Sequence, residues 1–384
     1  MASLYHQATN TTSQLLSLPP KWLNGYGDFI TKNASAVSQI ESALRSLTYI
    51  IPGRFRDAEI ASETVHSSVQ LLSLYHDILL SRALAKHPNP QNHPSPHTRY
   101  TRFWSTKSPT YARLAVILQM LQHTQLLWEM VAKRRGEKVR WRVVVILEAV
   151  KALCRLILLR ITNSRPLVSP PLPEREIDPG MTEESRSEED ELLGAESDDS
   201  SSSWTMPRTG LAMPTLPSST DISSYLLSKV LTADDIKPPK ALLHRVSGKG
   251  SFAEYLYILR PVVYAAALAH WSQRSPQGRK DWRPWLLGVS LEYGARQLAK
   301  RDFGERVAGG LRGLTGLEKE ELRKRRWQLG WWAFRGAFWE NMTKSWVNRF
   351  TAKLKDKPLL DIVGGVIEDY EFLFEEYYFS SATL

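Results

Sequence analysis

The chain has 384 residues, 42% of them hydrophobic and 23% charged, with 13 Trp and a formal net charge of +10. These fractions fit a folded protein with a sizeable core and exclude collagen-like and wholly disordered chains. The lone cysteine, Cys154, excludes a disulfide framework and a multi-cysteine metal site, and fits a reducing compartment.

The N-terminus lacks a basic segment followed by an apolar run, so a secretory signal is not expected, and the final Ala382-Thr383-Leu384 is not a Ser-Lys-Leu type address. Region 1–86 reads as helical, because Val65, Leu72, Tyr75 and Leu79 recur at three- and four-residue steps. His87 to His97 is a Pro/His/Asn loop that no helix crosses. Region 99–165 holds two helical runs, 109–134 and 139–162. The turn between them carries Lys133, Arg134, Arg135, Lys138, Arg140 and Arg142 against Glu137 alone, with Trp141 beside them.

Arg165 to Pro173 contains four prolines and reads as extended, more a stiff linker than a ligand for a Pro-binding domain. Region 166–220 continues as an acidic, Ser-rich linker with the composition of disorder. Residues 174–203 hold 12 acids against two bases, leaving the rest of the chain with 48 bases and 28 acids. A basic, Trp-rich body points to nucleic acid or an anionic membrane surface. Helices resume near Asp221 and fill region 221–384, with breaks at Gly309–Gly316 and Pro358. The fold class expected is all-α, two helical halves joined by a disordered acidic linker, membrane-associated.

Val143–Ile161 is the most apolar run, with 15 apolar residues and four charges, Glu148, Lys151, Arg155 and Arg160. Its apolar residues contribute roughly −6 kcal/mol to insertion, while three near-central charges cost roughly +9 kcal/mol. It does not span comfortably alone. Glu148, Lys151 and Arg155 nevertheless share one narrow stripe of the helix, which wants a partner. Tyr111–Ala132 and Phe252–Trp271 are weaker spans, the latter broken by Glu254, Arg260 and Pro261. Two readings stand for the hairpin: membrane attachment with its basic turn at an anionic leaflet, or two core helices with a solvated turn.

Arg323–Lys355 is the second membrane-facing feature. Trp327, Trp331, Phe334, Phe338 and Trp346 fall at helical spacing among Lys and Arg, with Trp332 and Trp339 beside them. Such a pattern suits an interfacial helix, and equally an aromatic core stripe with a solvated face. No zinc, homeodomain or RNA-recognition pattern accompanies it, so nucleic acid is not the expected partner.

No catalytic, metal or cofactor site is expected. His87, His93 and His97 lack metal-site spacing, Gly248-Lys249-Gly250-Ser251 lacks the phosphate-loop pattern, and no GxSxG, HExxH or kinase set occurs. The acids Glu368, Asp369, Glu371, Glu375 and Glu376, interleaved with aromatics, read as an amphipathic docking helix rather than an acid/base pair.

Six long segments carry a resemblance: RYTRFW (99–104), EMVAKRRGEKVRWRVVVILEAVKALCRLILLR (129–160), SRPLVSPPLPERE (164–176), EYLYILRPVVYAAA (254–267), PWLLGVSLEYGARQL (284–298) and EDYEFLFEEYYFSSA (368–382). With GRFRD (53–57), they make the chain similar to the peroxin-sixteen family of peroxisomal membrane biogenesis proteins, in its fungal type. The resemblance implies a non-enzymatic protein of the peroxisomal membrane, and leaves open whether the peroxisomal or the endoplasmic-reticulum bilayer is met first. It implies recruitment of peroxin three, where peroxin nineteen delivers new membrane proteins. Family members are often described as integral, whereas the charge arithmetic leaves topology and oligomeric state open. The expected membrane contacts are Lys133, Arg134, Arg135, Arg140, Trp141 and Arg142 in the hairpin turn and Trp327, Trp331, Trp339 and Trp346 beyond it. The alternative is a peripheral lipid-surface regulator of peroxisome division.

Overall fold

The computed structural model describes residues 25–27, 29–30, 33–50, 59–86, 94–175, 237–274, 280–306, 310, 313–354, 364–365, 367, 371, 374–380 and 382. The acidic stretch beyond Arg175, most of the Pro/His loop, and Glu368 and Asp369 lie outside the described residues. Every regular element among those described is helical, so the chain is all-α.

The chain divides into two units. One comprises residues 1–93 with 175–183, the other 94–174 with 184–384, so the helices on both sides of the acidic stretch share a unit. In the first, α1 (Ala34–Ile50) and α2 (Glu59–Lys86) pair beside a small cluster of Ile30, Val37 and Leu80. Its centre is polar: Glu41 pairs with His76, accepts from Ser73 at 3.1 Å, and meets Arg175 at 3.2 Å.

The second unit starts with two helices that share one start signal. Ser95 caps α3 (Pro96–Lys107) and Ser108 caps α4 (Pro109–Arg134), each followed by a Pro whose missing N–H costs nothing there. Gly136, at φ +120°, turns the chain into α5 (Glu137–Ile161). Helix α6 (Lys249–Arg274) lies beside α5, and α7 (Trp282–Arg306) beside α6, so α4 to α7 form one layer in chain order.

A second layer covers one face of the first. It comprises the extended segment 165–173, α8 (Gly316–Gly330), the irregular helical turns of Trp331–Thr343, and residues 374–379. Thr315 and Glu318 close a reciprocal capping box at the start of α8. The interface between the layers holds two apolar clusters. Tyr100, Trp104, Tyr111, Leu118 and Leu158 meet Val168, Leu242 and Leu317 in one; Trp141, Val144 and Tyr264 meet Trp332, Tyr378 and Phe379 in the other. Segment 165–173 is therefore a wall rather than a spacer: Tyr111 donates to Pro171 O at 3.1 Å, His97 contacts Pro170 O at 3.0 Å, and Lys324 donates to Ser169 O at 3.1 Å.

Candidate membrane-contact surface

The charged stripe of α5 points into the unit. Lys151 Nζ donates to Glu148 at 2.9 Å and to Gln125 of α4 at 2.8 Å, and lies 4.8 Å from the Phe379 ring centre. Burial, relieved in part by Glu148, lowers the Lys151 ammonium to about 8. Helix α6 behaves alike: Arg325 of α8 binds Glu254 through two bonds at 2.5 and 3.1 Å, and Arg260 meets Glu292 of α7 at 2.6 Å. Within α4–α7 the charges that spoil a membrane span thus face the second layer.

The opposite faces are apolar and uncovered. On α5, Ile146, Val150, Leu153 and Ile157 fall at steps of four, three and four, which aligns them on one side of a helix, and all four are exposed. Ile117, Met120, Trp128 and Val131 do the same on α4, and Phe252, Tyr255, Leu259 and Val263 on α6. Helix α7 adds Leu286 and Tyr293. Each stripe ends in exposed basic residues at both ends: Arg113 and Arg134 on α4, Arg142 and Arg160 on α5, Lys249 and Arg274 on α6, Arg283 and Arg301 on α7. Arg142 and Arg160 stand about 27 Å apart along the axis at 1.5 Å per residue. Contiguous apolar patches of this extent are rare on soluble monomers and mark interaction or membrane surfaces. Long basic side chains at their rim suit headgroup phosphates.

Among the described residues one stretch, Lys249–Trp271 in α6, is long and apolar enough to cross a membrane, and half of it is buried in the unit. Its Glu254 and Arg260 are already matched, and the layer beside it carries exposed Arg323 and Arg326. Upright insertion would bring those two guanidiniums into hydrocarbon, at a cost of about 2.5–3.5 kcal/mol each.

The residues expected at the membrane separate into two sets. Arg134, Arg135 and Arg142 are exposed at the hairpin turn. Lys133 pairs with Glu376 and sits over the Tyr377 ring, while Arg140 and Trp141 are buried. Trp327 and Trp346 are 72% and 76% exposed and Trp331 is exposed beside Phe334, but Trp339 is 4% exposed and packs on Phe374. The physical reason is the break in helix 323–355: Trp331–Phe334 tightens to a 3-10 turn, Gly336–Phe338 is a single α-turn and Trp339–Thr343 widens to a π-turn, and these changes of pitch rotate Trp332 and Trp339 inward. Trp327 and Trp331 belong to the second layer, away from the apolar face of α4–α7, and with Arg323 and Arg326 make a separate basic, aromatic patch.

The acidic aromatic C-terminus docks within its own unit. Glu375 and Glu371 approach Lys344, and Glu376 approaches Lys133. Periodicity alone did not single out the uncovered stripes, because apolar residues also line the packed faces of these helices; the bases at both helix ends were a readable signal.

A model of the family described as Peroxisomal membrane protein (Pex16) matches residues 24–376. Peroxisomal membrane protein PEX16 of Schizosaccharomyces pombe is 23% identical over 343 residues, covering 87% of this chain and 91% of the relative. Peroxisome biogenesis protein 16 of Arabidopsis thaliana is 22% identical over 365 residues, covering 88% and 94%. Peroxisome biogenesis factor 16 of Dictyostelium discoideum is 28% identical over 139 residues, covering 35% and 31%. No solved structure matches the chain. The chain belongs to the Pex16 family of peroxisomal membrane proteins.

Proposed function

We propose that this protein sits on the peroxisomal membrane with the apolar face of α4–α7 seated in one leaflet and the second layer in water, and that it recruits the machinery that inserts peroxisomal membrane proteins. The observation that carries the seat is the alignment of exposed apolar stripes on neighbouring helices, each ended by basic residues. Seating such a face gains about 25 cal/mol per Å² of apolar surface removed from water. The basic rim adds about 1 kcal/mol per Lys or Arg near an anionic leaflet.

Recruitment, by this reading, uses the basic aromatic patch of Arg323, Arg326, Trp327 and Trp331, which belongs to the layer turned away from the seat. Exposed Trp and Arg are the residues most enriched where partners bind tightly. The partner type is peroxin three, with peroxin nineteen delivering cargo, and the acidic stretch 174–203 tethers without chemistry of its own.

Flotation of the full chain with anionic liposomes, beside a binding assay with purified peroxin three, tests both parts. Leu153→Asp with Ile157→Asp should abolish flotation. Trp327→Ala with Arg326→Ala should leave flotation intact and weaken partner binding at least tenfold. The reverse pattern would return the tryptophans to the membrane and refute the seat.

A further inference from the structure

Helix α8 has two faces of different character. Its inner face is pinned at successive turns: Glu318 accepts from the backbone N–H of His244 at 2.7 Å, Glu321 from that of Ser169 at 3.3 Å, and Arg325 donates to Glu254. Leu317 is buried beside them. The helix is thereby a fixed platform, and what its outer face presents is held in place.

The outer face carries a column of like charge. Lys319, Arg323 and Arg326 follow at steps of four and three, about 10 Å from end to end, and all three are exposed. None of them forms an ion pair among the described residues, and the carboxylates of the same helix are committed elsewhere, Glu320 to Lys324, Glu318 to His244 and Glu321 to Ser169. Like charges at these spacings weaken a helix. Beside the column, Trp327, Trp331 and Phe334 continue the face with exposed rings.

Gly330 lies in the middle of those rings, three residues after Trp327 and four before Phe334. Its backbone is ordinary helix, φ −63° and ψ −31°, which any residue adopts. A Cβ there would meet nothing within 4 Å. Neither conformation nor internal packing asks for glycine, and alanine is the better helix former. A gap on an exposed aromatic face serves something that approaches the backbone closely from outside.

We propose that this face docks one amphipathic helix of a partner protein, which crosses α8 at Gly330. Its apolar side lies against Trp327, Trp331 and Phe334, and a row of Asp or Glu lies against Lys319, Arg323 and Arg326. The assignment deepens the recruitment reading above and rests on it. A helix fits because it satisfies its own backbone, and the face of α8 offers no open row of N–H and C=O groups to an extended strand. A lipid surface accounts for the gap less well, since acyl chains fill any contour and would lose nothing to a methyl group.

Fluorescence anisotropy with the purified full chain tests it, using labelled peptides of about 20 residues, long enough to be helical. The first has a Leu/Ala face flanked by Glu at i, i+4 and i+7, the second carries Lys for Glu, and the third is the Glu peptide with a central Pro. The Glu helix should bind about tenfold more tightly than either of the others, and its affinity should fall with salt. Gly330→Ala should leave the thermal midpoint unchanged or raised, yet weaken the Glu helix about tenfold by overpacking the crossing. Arg323→Ala with Arg326→Ala should remove the preference for Glu over Lys. Equal binding of the Glu and Lys helices, tight binding of the Pro-broken peptide, no binding of any peptide, or unchanged affinity in Gly330→Ala overturns the proposal. So does a lowered midpoint in Gly330→Ala, because the fold itself then needs the glycine.

Purified peroxin three separates this proposal from the recruitment reading. Loss of its binding in Trp327→Ala with Arg326→Ala but not in Gly330→Ala leaves recruitment standing and removes the helix. Loss in neither removes both. Impaired flotation with anionic liposomes in Trp327→Ala, with peptide binding intact, would give the face to lipid and overturn the proposal.

Discussion

Glu129 and Arg140 form a buried ion pair across the α4–α5 turn, Oε1 accepting from Nε at 2.9 Å and from Nη2 at 2.8 Å. The same carboxylate accepts from the backbone N–H of Tyr378 at 2.8 Å and of Phe379 at 2.9 Å. A single side chain thus joins the hairpin to the C-terminus, 249 residues away in sequence. Removing one partner of a buried pair leaves the other charge unmatched, so Glu129→Ala should cost about 3–5 kcal/mol. Denaturant unfolding checks the loss, and proteolysis near residue 378 should quicken in parallel. A cost below about 1 kcal/mol, the usual worth of a surface pair, would contradict the buried arrangement.

Gly288 of α7 lies against Trp332. A Cβ there would stand 2.7 Å from Trp332 Cζ3 and 3.0 Å from Tyr264 Cδ2. Trp332 is itself held by Glu292, and its ring packs edge-on to Tyr264, so it cannot swing away cheaply. Gly288→Ala should therefore destabilise the second unit by about 1–3 kcal/mol through overpacking, despite the better helix propensity of Ala. Gly294→Ala on the same helix, with open space around its Cα, is the control and should stabilise.

The helical architecture and most element positions were legible in the sequence from periodicity, but α3 was not, because the prolines up to Pro96 read as a loop that runs through His97. The acidic C-terminus was legible as a docking element, although its dock on Lys133 and Lys344 is a long-range fact that no local pattern carries. The Trp-rich segment misled, because the helical spacing of Trp327, Trp331, Phe334, Phe338 and Trp346 assumes an unbroken α-helix, and the irregular turns at 331–343 break it. Arg140 and Trp141 looked like surface residues of a basic turn. Their burial depends on Glu129, eleven residues upstream, and on the distant C-terminus. Segment 165–173 looked like a spacer because prolines exclude a helix, yet nothing local says that an extended segment will be covered.

Glu321 of α8 sets a pH dependence. Burial raises its carboxyl from 4.5 to about 7, against the pull of Arg325 and Lys324 in the other direction. Between those values the folded chain holds a proton that the unfolded chain has released, so stability falls as pH rises from about 4.5 to 7. Glu63 of α2, raised by burial to about 7, adds the same slope in the first unit. Glu321→Gln, isosteric with the protonated acid, should flatten the loss of unfolding midpoint between pH 5 and pH 7.5. An unchanged slope in this variant would place Glu321 in contact with water.

The seat of α4–α7 is tested most directly by depth. In a Cys154→Ser background, a nitroxide is attached at position 153 (Leu153→Cys) or at position 327 (Trp327→Cys), and the protein is bound to anionic liposomes. The account predicts that the label at 153 is open to dissolved oxygen and shielded from a water-soluble nickel chelate, while the label at 327 shows the reverse. A label at 153 that the chelate reaches freely, or a label at 327 that is equally deep in lipid, would contradict it.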